Sequence, residues 1–149
     1  MSTAADIVAT RIIATNAEGF RSAAYDDATG EPIVARGTVT IGYGCACTGW
    51  SRNLARAVLG FQLNEFEQPL LLKDWYRGCD DVRRSALLEI QFNQFGASPN
   101  GLESRYPRMI VAVGVHDWAR AAAECTIGEE ALKPRYALIA NLLATGVIP

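Results

Sequence analysis

The apolar and polar positions follow two different periods along this chain. Over residues 3–18, Ile7, Val8, Ile12 and Ile13 fall on one side of a helix, with Ser2 or Thr3 as a candidate cap and Gly19 as the stop. Over 20–44 the helical period is lost. "DDATGEP" and "RGT" are turn-rich and "TVTIGYG" alternates, which predicts a small antiparallel sheet with turns. The helical period returns after Ser51, a candidate N-cap, with Leu54, Val58 and Phe61 at helical spacing to about residue 67.

Asp80 or Asp81 would cap the next helix, "VRRSALLEIQFNQF". It is apolar on most sides except at Arg83, Arg84 and Glu89, so it is expected to run through the middle of a helical lobe. Shorter helices are expected within 102–114 and 116–125. A last helix opens at Lys133-Pro134, where proline's missing N–H costs nothing, buries Leu138, Ile139, Leu142 and Leu143, and ends at Gly146. The expected fold class is therefore α+β, in a single domain over 1–149. A small antiparallel β lobe over about 20–45 faces a larger helical lobe over about 51–149, which helix 3–18 joins, with a cleft between the lobes.

Composition narrows the partners. The chain has 149 residues, half of them apolar, which is enough for one real core. With 14 basic and 16 acidic residues and no basic stripe, nucleic-acid binding through counterion release is not expected. The N-terminal stretch lacks the basic and apolar regions of a signal peptide. The runs "MIVAVGV" and "YALIANLLATGVIP" are shorter than a membrane span requires, so no membrane is expected as a partner. Of Cys45, Cys47, Cys79 and Cys125, no two form a Cys-x-x-Cys pair, and His116 is the sole histidine. Reduced, buried thiols are the better reading than a metal site, and no cofactor or metal is expected. His116 reads as a surface residue, and Trp50, Trp75 and Trp118 as core packing rather than sugar platforms.

Three polar residues are placed to face the cleft: Glu18 at the end of the first helix, Asp27 in the first turn of the sheet, and Thr40 at the start of the glycine strand. A carboxyl at a helix C-terminus meets the negative end of the macrodipole, which raises its pKa, while Asp27 in a polar turn stays ionised. Two carboxyls pushed apart in pKa suit glycoside hydrolysis, one as acid and one as base.

The stretch "EGFRSAAYDDATG…TVTIGYG" resembles the active-site stretch of the phage-type lysozymes, the muramidase family of the T-even bacteriophage type. Glu18-Gly19, Tyr25-Asp26-Asp27, Gly30 and Thr40-Ile41-Gly42-Tyr43-Gly44 stand in the family's order, with Glu18 and Asp27 nine residues apart. "DDVRRSALLEIQFNQFG", "HDWARAAAE" and "PRYALIANLLATG" resemble the family's central, late and last helices. The resemblance implies that Glu18 protonates the glycosidic oxygen, that Asp27 holds or activates water from the opposite face, and that Thr40 orients that water. It implies that Gly42, Tyr43 and Gly44 line the cleft floor, where glycines let sugar and water approach the backbone. It also implies that Asn93 contacts saccharide and that Arg135 pairs with Glu18. An arginine lowers a carboxyl's pKa, so Glu18 can act as an acid near neutral pH only if desolvation by bound saccharide favours its protonated form.

The function so implied is a glycoside hydrolase, an endolysin-like N-acetylmuramidase. It would cleave the β-1,4 bond between N-acetylmuramic acid and N-acetylglucosamine in peptidoglycan glycan strands, by inversion, for bacteriolytic release or wall penetration by a bacteriophage. Inversion would set the two carboxyls about 6.5–9.5 Å apart. The protein would be made in the host cytoplasm, act as a monomer, and reach the wall through a holin or as part of a virion. The alternatives are a lytic transglycosylase on the same scaffold, which needs no Asp27 water, and a non-catalytic lysozyme-like wall-binding module. Several features depart from the family: "EPIVARGTV" lengthens the first hairpin, Cys45 stands where many members have histidine, Asp26 and Thr38 compete with Asp27 and Thr40, and the net charge of −2 gives weak steering toward an anionic wall.

Overall fold

Seven consecutive residues of one helix, Ser85 through Gln91, are buried, a pattern possible only where a helix is enclosed on every side. The computed structural model describes residues 3–15, 20, 21, 24, 25, 40, 41, 45, 46, 49–125 and 133–149. Its order is α1 (Thr3–Thr15), β1 (Thr40–Ile41), β2 (Cys45–Ala46), α2 (Arg52–Glu67), a 3-10 turn (Leu70–Leu72), α3 (Asp74–Arg77), α4 (Asp81–Gln94), α5 (Gly101–Arg105), α6 (Pro107–Gly114), α7 (Trp118–Cys125) and α8 (Lys133–Thr145). The enclosed helix is α4, and α1, α2, α5 and α8 pack around it. Its start is set locally, because the Asp80 carboxylate accepts from the Arg83 N–H at 2.9 Å.

The expected α+β class is corrected. The described chain is mostly helical, with no β lobe. Among the described residues of 20–45, the paired strands are a ladder of two residues against two, Thr40 opposite Ala46 and Ile41 opposite Cys45. The register explains the misreading. "TVTIGYG" alternates like one strand, but its described residues, Thr40 and Ile41, pair antiparallel with Ala46 and Cys45, close by in the sequence. Two short arms offer no sheet face able to bury a core of its own. The expected hairpin extension over 31–39 lies outside the described residues.

The helical expectations fare better, with one change of face. Ser51 caps α2 by accepting from the Leu54 N–H at 3.1 Å. The buried side of α2 is Gly60, Leu63 and Glu67, whereas Leu54 and Phe61 are 44% and 66% exposed. On α1 the buried face is Ala5, Val8, Ala9 and Ile12, together with Arg11, and Ile13 is exposed. Ile139, Leu142 and Leu143 of α8 are fully buried, and Gly146 beyond it takes φ +67, the left-handed region that glycine enters without strain.

Buried polar groups tie these helices together. The Tyr76 hydroxyl donates to Glu67 at 2.9 Å, joining α3 to α2. Burial and that carboxylate hold the phenol protonated well above its usual range. Arg83 of α4 reaches the end of α8, where its Nε donates to the Leu143 carbonyl at 2.9 Å. Its guanidinium also lies 4.3 Å from the Trp118 ring centre. Trp75 and Trp118 pack on the core, as expected, and His116 is exposed. Cys79 and Cys125 are buried free thiols, with burial pushing Cys79 up to about 11 and Cys125 up to about 12. Cys45 lies in the short ladder, and Cys47 is outside the described residues.

Candidate functional site

Three helices meet at one buried carboxylate. Glu89 lies in the second half of α4 and is 3% exposed. Arg11 of α1, 8% exposed, donates from Nη2 to Glu89 Oε2 and from Nη1 to Ser85 Oγ at 3.2 Å. Arg135 of α8 approaches the other carboxylate oxygen, with its Nε 3.5 Å from Glu89 Oε1. The same guanidinium donates from Nη1 to Asn93 Oδ1 at 2.9 Å. Ser85, Glu89 and Asn93 are spaced four apart on α4, so they form one polar row along a helix otherwise enclosed by apolar side chains.

The row exists because burying a charge demands a partner. Arg11 sits one position before Ile12 and three after Val8, so packing those two against α4 carries the arginine in with them. Arg135 precedes the buried Tyr136 in the first turn of α8 and is drawn in the same way. Asn93 is held through its carbonyl oxygen. Its Nδ2 is buried and has no hydrogen-bond partner among the described residues.

Of the residues read from the sequence as a site, Asn93 and Arg135 are brought into direct contact. Thr40 opens β1, its backbone paired with Ala46. Glu18, Asp27, Gly42, Tyr43 and Gly44 lie outside the described residues, and with them the Glu18–Asp27 separation and the Glu18 side of the Arg135 pairing. Glu89, Arg11 and Ser85 were not among the expected site residues. The signal for them was present: Glu89 interrupts "LLEIQF", and Arg11 interrupts "IVATRIIAT", each a single charge inside an apolar helix face. Opposite charges so placed imply a pair, but nothing local says that these two meet.

Among the described residues, no cluster of three His, Cys, Asp or Glu side chains could hold a metal ion. No described helix is long and apolar enough to cross a membrane. No family model matches the chain, and neither a curated protein nor a solved structure matches it.

Proposed function

We propose that this chain is a peptidoglycan muramidase. Glu18 acts as the acid that protonates the glycosidic oxygen, Asp27 as the base that activates water from the opposite face, and Thr40 as a guide for that water. The observation that carries the reading is the sharing of Glu89: Arg11 of α1 and Arg135 of α8 each take one oxygen of the same carboxylate. Arg11 lies four residues, about 6 Å along a helix, before the last residue of α1. Position 18 follows three residues after that end. Arg135 of the last helix thus shares a carboxylate with a residue in the second half of the first helix, which supports the pairing that the resemblance implies. This support rests on α1, α4 and α8 and does not call on a β lobe.

The wall would be reached through a holin or from a virion.

The test is loss of turbidity of outer-membrane-permeabilised cells with the purified full chain and with Glu18→Gln. Muramidase action predicts clearing by the wild type, none by the variant, and muramic acid at the reducing ends of the products. Anhydromuramic ends would make the chain a lytic transglycosylase. Absence of clearing by a folded wild type would overturn the muramidase reading, and co-sedimentation with purified peptidoglycan would then make it a wall-binding module.

A further inference from the structure

The outer face of α2 carries an uncharged seam whose apolar side chains stand in water. The helix turns Gly60, Leu63 and Glu67 inward, where it meets α1 and α4. On the other side, Ser51, Leu54, Val58, Phe61, Glu65 and Gln68 follow one another at intervals of three and four residues. That is the 3.5-residue spacing with which one helix meets a second along a shared seam. Leu54 and Phe61 are exposed at its centre, with Val58 half-buried between them.

The surroundings of the seam are as telling as the seam. It is flanked by Ala55 and Gln62 on one side and by Ala57 and Asn64 on the other, all uncharged. Arg52 and Arg56 stand two residues to either side of Leu54 and so project from the far side of the helix. The Arg52 guanidinium lies 4.5 Å from the centre of the Phe20 ring. A helix face turned to solvent ordinarily carries the charges. Here they are kept off a strip two turns long, and the small flanking residues leave room for a second helix.

We propose that this seam is a contact between two copies of the chain, with their α2 helices packed antiparallel about a two-fold axis beside Val58. Charge selects the direction. Positions 51 and 65 each lie seven residues from Val58, so the axis sets Glu65 of one copy opposite position 51 of the other. Glu65 then faces the N-terminus of the second α2, where Ser51 caps and the positive end of the macrodipole favours a carboxylate. The two-fold makes that contact twice. A parallel pair would set the two Glu65 carboxylates side by side, like charge against like. The same axis brings Leu54 of each copy near Phe61 of the other. The helix has 16 residues, so the contact is about 24 Å long and one helix wide. That is less than a lasting dimer buries, and the association is of the weak, reversible kind. It stands whether or not the chain cleaves peptidoglycan.

The test is sedimentation velocity of the full chain from about 1 μM to about 1 mM, alongside Val58→Arg, Glu65→Gln and Leu72→Ser. The wild type is expected to pass from monomer to dimer across that range. Val58→Arg brings two like charges together on the axis and is expected to weaken association more than tenfold. Glu65→Gln is expected to weaken it about three- to thirtyfold, from two contacts of the helix-end scale. Leu72→Ser changes an exposed apolar side chain off the seam and is expected to leave association as it was. Circular dichroism checks that each variant folds. If Val58→Arg does not, Phe61→Ser at its exposed position makes the same comparison. A chain that stays monomeric to 1 mM would overturn the proposal, and so would a dimer that survives Val58→Arg or Phe61→Ser. Association unchanged or tightened by Glu65→Gln would overturn the antiparallel arrangement.

Discussion

Glu89 and Glu103 both accept from cationic side chains of other elements, yet they occupy opposite environments. Glu89 is enclosed among α1, α4 and α8, with a guanidinium on each oxygen. Glu103 sits on α5 near the surface, taking Lys73 Nζ at 2.7 Å on one oxygen and the Trp75 indole N–H at 3.0 Å on the other. Water solvates Glu103 when its partner leaves, whereas Glu89 would remain as a buried charge with one cation fewer. The difference teaches that the value of an ion pair lies less in the contact than in what is left when the contact is broken.

That contrast sets the order of expected effects. Glu89→Gln removes the buried carboxylate that the Arg11 and Arg135 guanidiniums share and is expected to cost about 3–5 kcal/mol in urea unfolding. The double change with Arg11→Gln is expected to recover part of that loss. Arg83→Ala comes next. It removes a hydrogen bond to the Leu143 carbonyl at the end of α8 and the packing on Trp118, for about 1–3 kcal/mol by the same measurement. Gly146→Ala probes the same corner, because a Cβ there would press into the Arg83 guanidinium and the φ of +67 is unfavourable for alanine.

Lys73→Ala is expected to cost only about 0.2–1 kcal/mol, because both side chains of the pair stay partly open to water. Its pH dependence has a definite sign. The Lys73 ammonium and the Trp75 N–H hold the Glu103 carboxyl below its usual value. The pair's contribution is therefore present above the unfolded-state pKa of a glutamate and is lost as the pH falls through the lower folded value. Melting curves of wild type and Lys73→Ala should converge on acidification, and curves that stay parallel would remove Glu103 from the account. The smallest effect is expected at Phe61→Ser. Phe61 is mostly exposed on α2, so the change should stay within about 0.5 kcal/mol of neutral. A loss of several kcal/mol would show that this side of α2 is covered in solution.

The candidate site was only partly legible in the sequence. Asn93 and Arg135 could be picked out from a resemblance in their helices, and the two do meet. Glu89 and Arg11 were visible only as charges out of place in apolar stretches. Their pairing spans 78 residues, and no periodicity carries information over that distance. The face of α2 escaped for a related reason. Leu54, Val58 and Phe61 make an apolar stripe, and Gly60, Leu63 and Glu67 make another on the same helix. The period shows that a stripe exists, but the neighbouring helices select the one that is buried.

By itself the sequence determined the starts of α2, α4 and α8 and the stop of α8. Ser51 and Asp80 cap because their side-chain oxygens lie within three residues of the N–H groups they accept, and Pro134 and Gly146 act through their own φ. These are local energies, and local sequence is enough to read them. Tertiary structure decided that Glu67 is buried and takes the Tyr76 hydroxyl, that Glu89 is shared by Arg11 and Arg135, and that Thr40 and Ile41 pair with Ala46 and Cys45 in a ladder of two residues against two. Those outcomes depend on which surfaces the helices present to one another once packed. The cost of leaving a charge or a backbone group unpaired is then settled between segments far apart in the chain.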